Sequence, residues 1–513
     1  MKHILYNIKT LIALVAISFT MASCLDKEPG SAIPENDAMQ TYEDAEQTVT
    51  GIYALLKSSS LFSGYLTLLP DIQTDLVYAV DGYTNVYGNF WQWDIRPTNS
   101  EIESVYASLY RIIANCNFYL ERIDKVMADQ TDDDRITTLE FYTGEVYTIR
   151  ALAYSELLKN FCKAYDPATA QNELGMVIRR KYSEKEPARR ASLYDTYKFV
   201  LDDLAMAEKL LDEDYDAYSS YYITKGVAHA LHARVALYMQ NWDDAIKYST
   251  MLINHKNNAY ALSSATNYYT STMTYFDYMW QYDLGTEVIW QLGFTTTSYG
   301  GALGQVFLNF NNDYYYCYPD YVPAKWVLDL YSSSDMRYSS YFADFATGYD
   351  HNLTWPLLVK YYGNQNFISS ALIYHVSMPK PFRLAEQYLI RAEAYCRKEK
   401  PDYSAASKDL ATLRSSRIAS SGGVSLTADN CIQTIAEERV RELYMEGFRL
   451  NDIKRWGKLY NNGEGFAREP QSNTLKEGNS IKKKADDPMF VWPIPQHEIE
   501  APGSEVEPNE SNK

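Results

Sequence analysis

Apolar positions recur every three or four residues in several stretches of this chain, which is the spacing of an amphipathic helix. The pattern predicts helices over residues 40–58, 101–127 and 194–211. The clearest periodicity lies in "IAEERVRELYMEGFRLNDIKRWG", residues 435–457. It predicts one continuous helix, with Gly457 placed where a C-terminal cap would stand.

Three segments echo one another, at residues 149–158, 232–249 and 390–410. Each begins as an Arg/Ala/Tyr helix with small residues where a neighbouring helix must approach closely. The second follows the small–aromatic–turn–small pattern of a tetratricopeptide hairpin. The spacings between the echoes are irregular, so the pattern predicts separate hairpins and not a tandem solenoid.

Between the helices lie aromatic segments without periodicity, at residues 78–100 and 265–320, rich in Gly, Asn and Ser. Residues 460–490 are polar, and their "IKKKADD" charge run predicts a solvated loop. The expected architecture is all-α, with a tetratricopeptide-like hairpin scaffold, long irregular loops and at most a few short strands. Function on such a scaffold is expected in the loops.

The N-terminus has the features of a lipoprotein signal peptide. Lys2 and Lys9 precede an apolar run, Leu11–Phe19, that is too short to span a bilayer. The small residues before Cys24 resemble a bacterial lipobox, which predicts a signal peptide over residues 1–23 and acylation of Cys24. An ordinary secretory signal with an incidental cysteine is the alternative interpretation. More than one acyl chain makes membrane attachment stable.

The rest of the chain is expected to be anchored and not to cross the membrane, because no other stretch reaches about eighteen consecutive apolar residues. Residues 24–40 are polar and turn-rich, which is typical of a tether. Residues 41–270 are expected to form an N-terminal helical part. It would make one compact unit with a C-terminal part, residues 271–513.

Charge and cysteine usage exclude several classes of protein. With 48 basic and 66 acidic side chains the net charge is −18, and a nucleic-acid-binding protein needs a basic footprint. The cysteines beyond Cys24 show no CxxC spacing, so neither a disulfide framework nor a zinc site is predicted. They are expected to be small core residues: Cys116, Cys162, Cys317, Cys396 and Cys431.

No catalytic motif stands out. The sequence has no nucleophile elbow, Gly-rich phosphate loop or HExxH motif, so a binding protein without cofactor or metal is predicted. His229 and His232 have a spacing that metal sites use, but no third ligand clusters with them. A core role is therefore favoured for both.

Several segments, in this order behind the lipobox, resemble the SusD/RagB nutrient-binding lipoproteins of the Bacteroidetes outer membrane. Asp26 and Glu28 also resemble the acidic surface-export signal of lipoproteins in that phylum. The chain departs from the family pattern at Ala501-Pro502-Gly503, where an Asn-Pro usually follows "PIPQ". The segments are "GIYALL", "SLYRIIANCNFYLERID", "GEVYTIRALAYSELLKNF", "YITKGVAHALHARVALYM", "YVPAKWVLDLYSSSDMR", "RLAEQYLIRAEAYCR", "EERVRELYMEGFRLNDIKRWG" and "VWPIPQHEIEA".

The resemblance implies an all-α protein that binds oligosaccharides at the cell surface. It also implies that the protein forms a lid on a SusC-like TonB-dependent transporter in the outer membrane. The signature helices look structural in this family, so Glu442, Glu446, Arg449 and Arg455 are interpreted as scaffold charges. A tetratricopeptide-type protein-interaction scaffold without a sugar site is the alternative.

In the resembled family the glycan lies against aromatic rings from two loops, which correspond here to residues 75–99 and roughly 265–320. A sugar has an apolar C–H face that can lie flat on an aromatic ring. Trp91 and Trp93 would point to one side if their segment is extended; the alternative is that a tryptophan plugs the core. The candidate glycan-binding residues are Trp91, Trp93, Tyr83, Tyr87, Asp75, Asp81, Asn85, Tyr314, Tyr315 and Tyr316.

Overall fold

The structure is a computed structural model, and it describes residues 38–81, 86–182, 188–311, 316–349 and 356–513. The predicted signal peptide and Cys24 lie outside these ranges. The α-helices, numbered in chain order, are α1 (Tyr42–Leu56), α2 (Tyr65–Ile72), α3 (Gly88–Trp91), α4 (Ser100–Leu120), α5 (Ile123–Ala128), α6 (Asp133–Phe161), α7 (Leu193–Leu210), α8 (Lys225–Tyr238), α9 (Trp242–Ile253), α10 (Tyr275–Tyr282), α11 (Gln305–Leu308), α12 (Lys325–Leu328), α13 (Met336–Tyr341), α14 (Gln365–Ala371), α15 (Leu384–Arg397), α16 (Tyr403–Arg417), α17 (Cys431–Glu442), α18 (Arg449–Trp456) and α19 (Gln496–Glu500).

The strands are two or three residues long, and they pair antiparallel in twos as β1–β5, β2–β8, β3–β4, β6–β7 and β9–β10. This helical fold with only short strands confirms the predicted all-α class. The strands are β1 (Val77–Ala79), β2 (Val288–Trp290), β3 (Phe310–Asn311), β4 (Tyr316–Cys317), β5 (Tyr321–Pro323), β6 (Phe342–Ala343), β7 (Leu357–Leu358), β8 (Phe382–Arg383), β9 (Phe466–Ala467) and β10 (Lys482–Lys483).

Helical hairpins form the scaffold. Helices α6 and α7 pack as one pair, α8 and α9 as a second, and α15 and α16 as a third. The three sequence echoes fall within these three pairs. Helix α9 also packs on α15, which joins the second hairpin to the third. Within the described ranges, no helix combines the length and the apolar character needed to cross a bilayer.

Most helix ends agree with the sequence prediction where a local cap defines them. Helix α1 begins after Thr41, whose side chain accepts from the Asp44 N–H in a capping box. Helix α7 begins after Ser192, whose side chain accepts from the Asp195 N–H. The helix predicted over residues 101–127 is instead divided into α4 and α5.

The helix predicted over residues 435–457 is wrong as a single element, because the chain breaks between α17 and α18. Met445 and Gly447 take left-handed backbone conformations, with φ of 58° and 82°. The Asp71 carboxylate on α2 accepts from the backbone N–H groups of Gly447 (2.9 Å) and Arg449 (2.8 Å). A contact with a distant helix therefore sets the break. The predicted end is correct, since Gly457 caps α18 with φ of 52°.

A buried ionic cluster lies at the centre of the C-terminal half. Glu442 on α17 pairs with Arg383 (2.9 Å), Arg417 (2.9 Å) and Arg337 (3.1 Å). Glu287 pairs with the first two arginines, both at 2.9 Å. Burial alone would raise the pKa of Glu442, but the three arginines hold it well below its usual range.

The other predicted scaffold charges are paired and largely or fully buried too. Glu446 pairs with Arg383 and Lys360, Arg449 with Asp75, and Arg455 with Glu393. These pairs agree with the interpretation of the signature helices as structural.

The five described cysteines, His229 and His232 also lie in the core. The five described cysteines are free and buried. His229 and His232 are buried, and burial lowers the pKa of His229. The His232 ring stacks on Tyr248 at 3.6 Å, and its Nδ1 lies 2.8 Å from Glu208. These contacts agree with the core role.

Residues 460–490, predicted as a solvated loop, are only partly so. They supply the β9–β10 pair and the buried side chains of Phe466 and Arg468. The Arg468 guanidinium lies beneath the first aromatic loop, where it donates to the backbone carbonyls of Thr74 (2.8 Å) and Gln73 (3.0 Å).

Candidate functional site

Trp91, the first candidate sugar platform, is a core residue. It ends the short helix α3 and is fully buried. Its Nε1 donates to the backbone carbonyl of Val77 at 3.1 Å, and the Arg468 guanidinium lies 4.6 Å from its ring centre. No face of the indole is open to a ligand.

Trp93 is buried as well. Its Nε1 donates to the backbone carbonyl of Gln73 at 2.6 Å, and its ring packs on Phe490 (5.1 Å) and Phe466 (5.6 Å). The segment is a helical turn followed by a residue at φ 61°, and not an extended strand. The structure therefore corrects the prediction for both tryptophans: they fill the core beneath the loop.

The remaining candidates of the first loop differ among themselves. Asp75 is buried and holds Arg449 at 2.9 Å, so it serves the scaffold and is not open to sugar hydroxyls. Asp81 is exposed and Tyr87 half-buried. Four other candidates lie outside the described residues: Tyr83, Asn85, Tyr314 and Tyr315. The last, Tyr316 in the second loop, is half-buried.

The two predicted loops do meet. Strand β1 of the first pairs with β5, which directly follows the second, placing Ala79 opposite Tyr321. The Tyr321 hydroxyl donates to the Val86 carbonyl at 2.5 Å. Tyr87 therefore stands at the junction of the loops, with its ring edge-to-face on Tyr65 at 5.7 Å. Burial raises the pKa of Tyr87 to about 12, so the ring stays a neutral hydrogen-bonding group.

Around Tyr316 the structure assembles a surface that we call the aromatic cluster. Phe345 and Tyr362 lie nearly parallel at 5.9 Å, and Phe310 contacts both. Strand pairing of β3 with β4 connects these rings to Tyr316 and its neighbours. All members are half-buried: Phe310, Tyr316, Tyr318, Phe345, Tyr349, Tyr362 and Tyr374.

Such an arrangement is suited to binding. Half-buried rings offer flat apolar faces, and the tyrosine hydroxyls can donate and accept hydrogen bonds at their edges. The chemistry of the cluster suits a ligand with apolar faces and hydroxyl groups.

Comparison with known proteins identifies the family. Residues 24–237 match a family model described as "Starch-binding associating with outer membrane", and residues 268–507 match the model of the SusD family. The chain belongs to the SusD/RagB family. The predicted resemblance is confirmed.

Individual relatives are distant but cover nearly the whole chain. SusD-like protein P25 of Formosa agariphila is 21% identical and aligns over 88% of this chain and 90% of that protein. A SusD superfamily protein of Bacteroides thetaiotaomicron is 22% identical, with a TM-score of 0.77 over 91% of this chain and 99% of that one. A putative sugar binding protein of Bacteroides vulgatus is 23% identical, with a TM-score of 0.75 over 93% and 100%. These solved structures establish the shared fold.

For this SusD-family chain, the sequence predicted the position of the second loop. It did not identify most of the rings of the aromatic cluster as candidates. Tyr318 lay within the loop, while Phe345, Tyr349, Tyr362 and Tyr374 lay beyond it. A usable signal was present, because "FADFATGYD" and "YYGNQN" combine aromatic residues with Gly, Asn or Thr as the first loop does. Tertiary packing alone decides which of these rings remain partly exposed.

Proposed function

We propose that this chain captures oligosaccharides on the outer surface of the outer membrane, using the aromatic cluster. The observation that carries the proposal is the set of seven half-buried rings on a SusD-family fold. Two structures with this fold, both from Bacteroides vulgatus, are described as a putative sugar binding protein and a SusD-like carbohydrate binding protein. Apolar ring faces bordered by hydroxyls match the two surfaces of a pyranose.

The proposal includes no chemistry on the ligand. The bound glycan would pass unchanged to a SusC-like TonB-dependent transporter, for which family resemblance is the support. Isolating the native protein from its membranes should recover that barrel as a partner. Recovery of the protein alone, under detergent conditions that preserve other outer-membrane complexes, would contradict the partnership.

Binding is tested by calorimetry of the purified full-length protein with a panel of oligosaccharides. Tyr362→Ala and Phe345→Ala each remove one ring from the aromatic cluster. By analogy with base stacking, each ring contributes about 1–3 kcal/mol, so affinity should fall about 5- to 150-fold.

The matched control is Tyr194→Ala, which removes an exposed tyrosine on α7 that is not part of the cluster. Its affinity should equal that of the wild type. Unchanged binding in both cluster variants would place the sugar elsewhere, and glycan hydrolysis by the pure protein would contradict the absence of chemistry.

A further inference from the structure

A second candidate site lies in a cleft between α1 and α6. Two loops, residues 215–224 and 292–298, close its sides, and its volume is about 920 Å³. This volume is in the range of small-molecule sites. None of the lining residues belongs to the aromatic cluster, so the cleft is independent of the proposed function.

Aromatic rings form much of the cleft wall. Tyr53 on α1 packs edge-to-face on Tyr222 at 5.6 Å, and Phe141 on α6 packs on Tyr215 at 5.5 Å. Tyr215 and Tyr222 are 64% and 63% exposed, although soluble proteins usually cover most of such large rings. Each helix therefore presents a ring that is paired with an exposed ring from the loop.

A buried acid lines the same cleft. Glu145 is only 2% exposed, yet its Oε2 has no hydrogen-bond partner among the described residues. Burial raises the pKa of Glu145 to about 8, and the neighbouring Tyr53 hydroxyl offsets this only in part. A buried carboxyl oxygen without a hydrogen-bond partner destabilises the fold unless a ligand supplies that partner.

A second carboxylate stands nearby. The Tyr142 hydroxyl donates to Glu46 Oε1 at 3.2 Å, and both Glu46 and Glu145 act on the pKa of Tyr142, which burial raises. No ion pair with either glutamate forms within the described part of the chain. The one lysine in the lining, Lys57, is bonded to Ser298 at 3.3 Å.

Lys57, the C-cap of α1, is also too far along the helix to neutralise Glu46. It follows Glu46 by eleven residues, or about 16 Å along the helix axis at 1.5 Å per residue. We call the part of the cleft around Glu46, Glu145 and Tyr142 its acidic end.

We propose that the acidic end of this cleft binds a protonated amine, held by Glu145 and Glu46 between the rings of Tyr53 and Tyr142. Aromatic faces attract organic ammonium groups, and an ammonium beside Glu145 would favour release of its proton and stabilise the carboxylate that forms. A neutral hydroxyl could bond to Oε2 but would not stabilise the ionised form of Glu145. The amine could belong to an amino sugar or to a basic peptide, and the experiment separates these sources.

The test is calorimetry at pH 7 with the full-length protein and three probes: a glucosamine trimer, its fully N-acetylated counterpart and trilysine. The two sugars share one skeleton and differ in whether the nitrogen can carry charge. At least one amine probe should bind. The glucosamine trimer or trilysine should have an affinity at least about tenfold higher than that of the acetylated trimer. Whichever amine binds identifies the source.

Glu145→Gln keeps the size of the side chain but cannot ionise to pair with an ammonium, so it should weaken amine binding at least about tenfold. Glu43→Gln is the control, since Glu43 on α1 is a glutamate that is exposed and outside the cleft lining. It should bind like the wild type. Equal affinity for the two sugar trimers without trilysine binding, or unchanged binding in a folded Glu145→Gln variant, would overturn the proposal.

Discussion

Two kinds of aromatic side chain occur in the loops, and their polar atoms distinguish them. The indole N–H groups of Trp91 and Trp93 are satisfied by backbone carbonyls inside the fold. The rings of Phe345 and Tyr362 keep part of their surface in solvent. A ring that is fully enclosed stabilises the protein, and a ring that is half exposed remains available for recognition.

Replacing Trp91 with alanine should therefore affect stability and not sugar affinity. Loss of a fully buried tryptophan is expected to lower the free energy of unfolding by about 3–5 kcal/mol. Urea denaturation measures the change, with Tyr194→Ala as a control near zero. A Trp91→Ala protein that is as stable as the wild type but no longer binds would reverse this assignment.

Glu145 should make stability depend on pH. Its pKa is raised from 4.5 to about 8 in the folded protein, so the folded state retains a proton that the unfolded state has released. The contribution of Glu145 to the free energy of unfolding is therefore fully present below about pH 4.5. It is lost as the pH rises through about 8.

Urea unfolding of the wild type and Glu145→Gln at pH 5 and pH 8.5 measures this effect. The variant should gain stability relative to the wild type at the higher pH, because its amide does not ionise. A difference that is the same at both pH values would contradict the raised pKa.

At the scale of elements, the sequence predicted helix ends correctly where a neighbouring residue caps the helix. The prediction was wrong where a residue distant in sequence determines the end. Thr41 and Ser192 lie beside the helices that they cap. The break between α17 and α18 depends on Asp71, some 376 residues before Gly447. Helical periodicity continues through the break, so tertiary contacts override it.

The same limit explains why the sequence did not predict which rings of the candidate site are buried. The aromatic segments were visible in the sequence, but burial of an individual ring depends on which carbonyls and side chains surround it. For Trp91 these are Val77 and Arg468, which no local pattern connects to it.

Gly447→Ala tests whether the break between α17 and α18 depends on its tertiary contacts. The residue has φ of 82°, and an added Cβ would lie 2.3 Å from the Leu66 carbonyl oxygen. Backbone strain at this φ and displacement of the Leu66 carbonyl should together lower the free energy of unfolding by at least about 2 kcal/mol. Gly422→Ala is the control, because a Cβ there meets nothing within 4 Å. Equal stability of the two variants in urea would show that the break tolerates a side chain.

At the scale of the whole molecule, charged residues were easier to predict than their partners. The sequence marked Glu442 as a scaffold charge, and the structure supplies Arg337, Arg383 and Arg417 from three separate segments. Pairings over such distances carry no local pattern, so the sequence predicts that the charges are paired but not with which residues.

Attachment to the membrane also belongs to this scale, and it stays a prediction because Cys24 lies outside the described residues. Cys24→Ala should move the protein from the membrane fraction to the soluble fraction, since the acyl chains would supply the anchor. Fractionation with an antibody to the folded body measures the partition. Membrane retention equal to that of the wild type would contradict acylation at this cysteine.

The contact of Asp71 with Gly447 has a consequence for how the chain folds. It closes a loop of 376 residues, and the Trp492 indole reaches Gln73 over 419 residues at 2.9 Å. Contacts so distant in sequence make folding slow, because chain entropy is lost before they form. Residues 41–270 made alone would lack these partners and should melt broadly, without a cooperative transition. The two halves that match separate family models are therefore expected to fold only together, once the chain has been synthesised beyond Trp492.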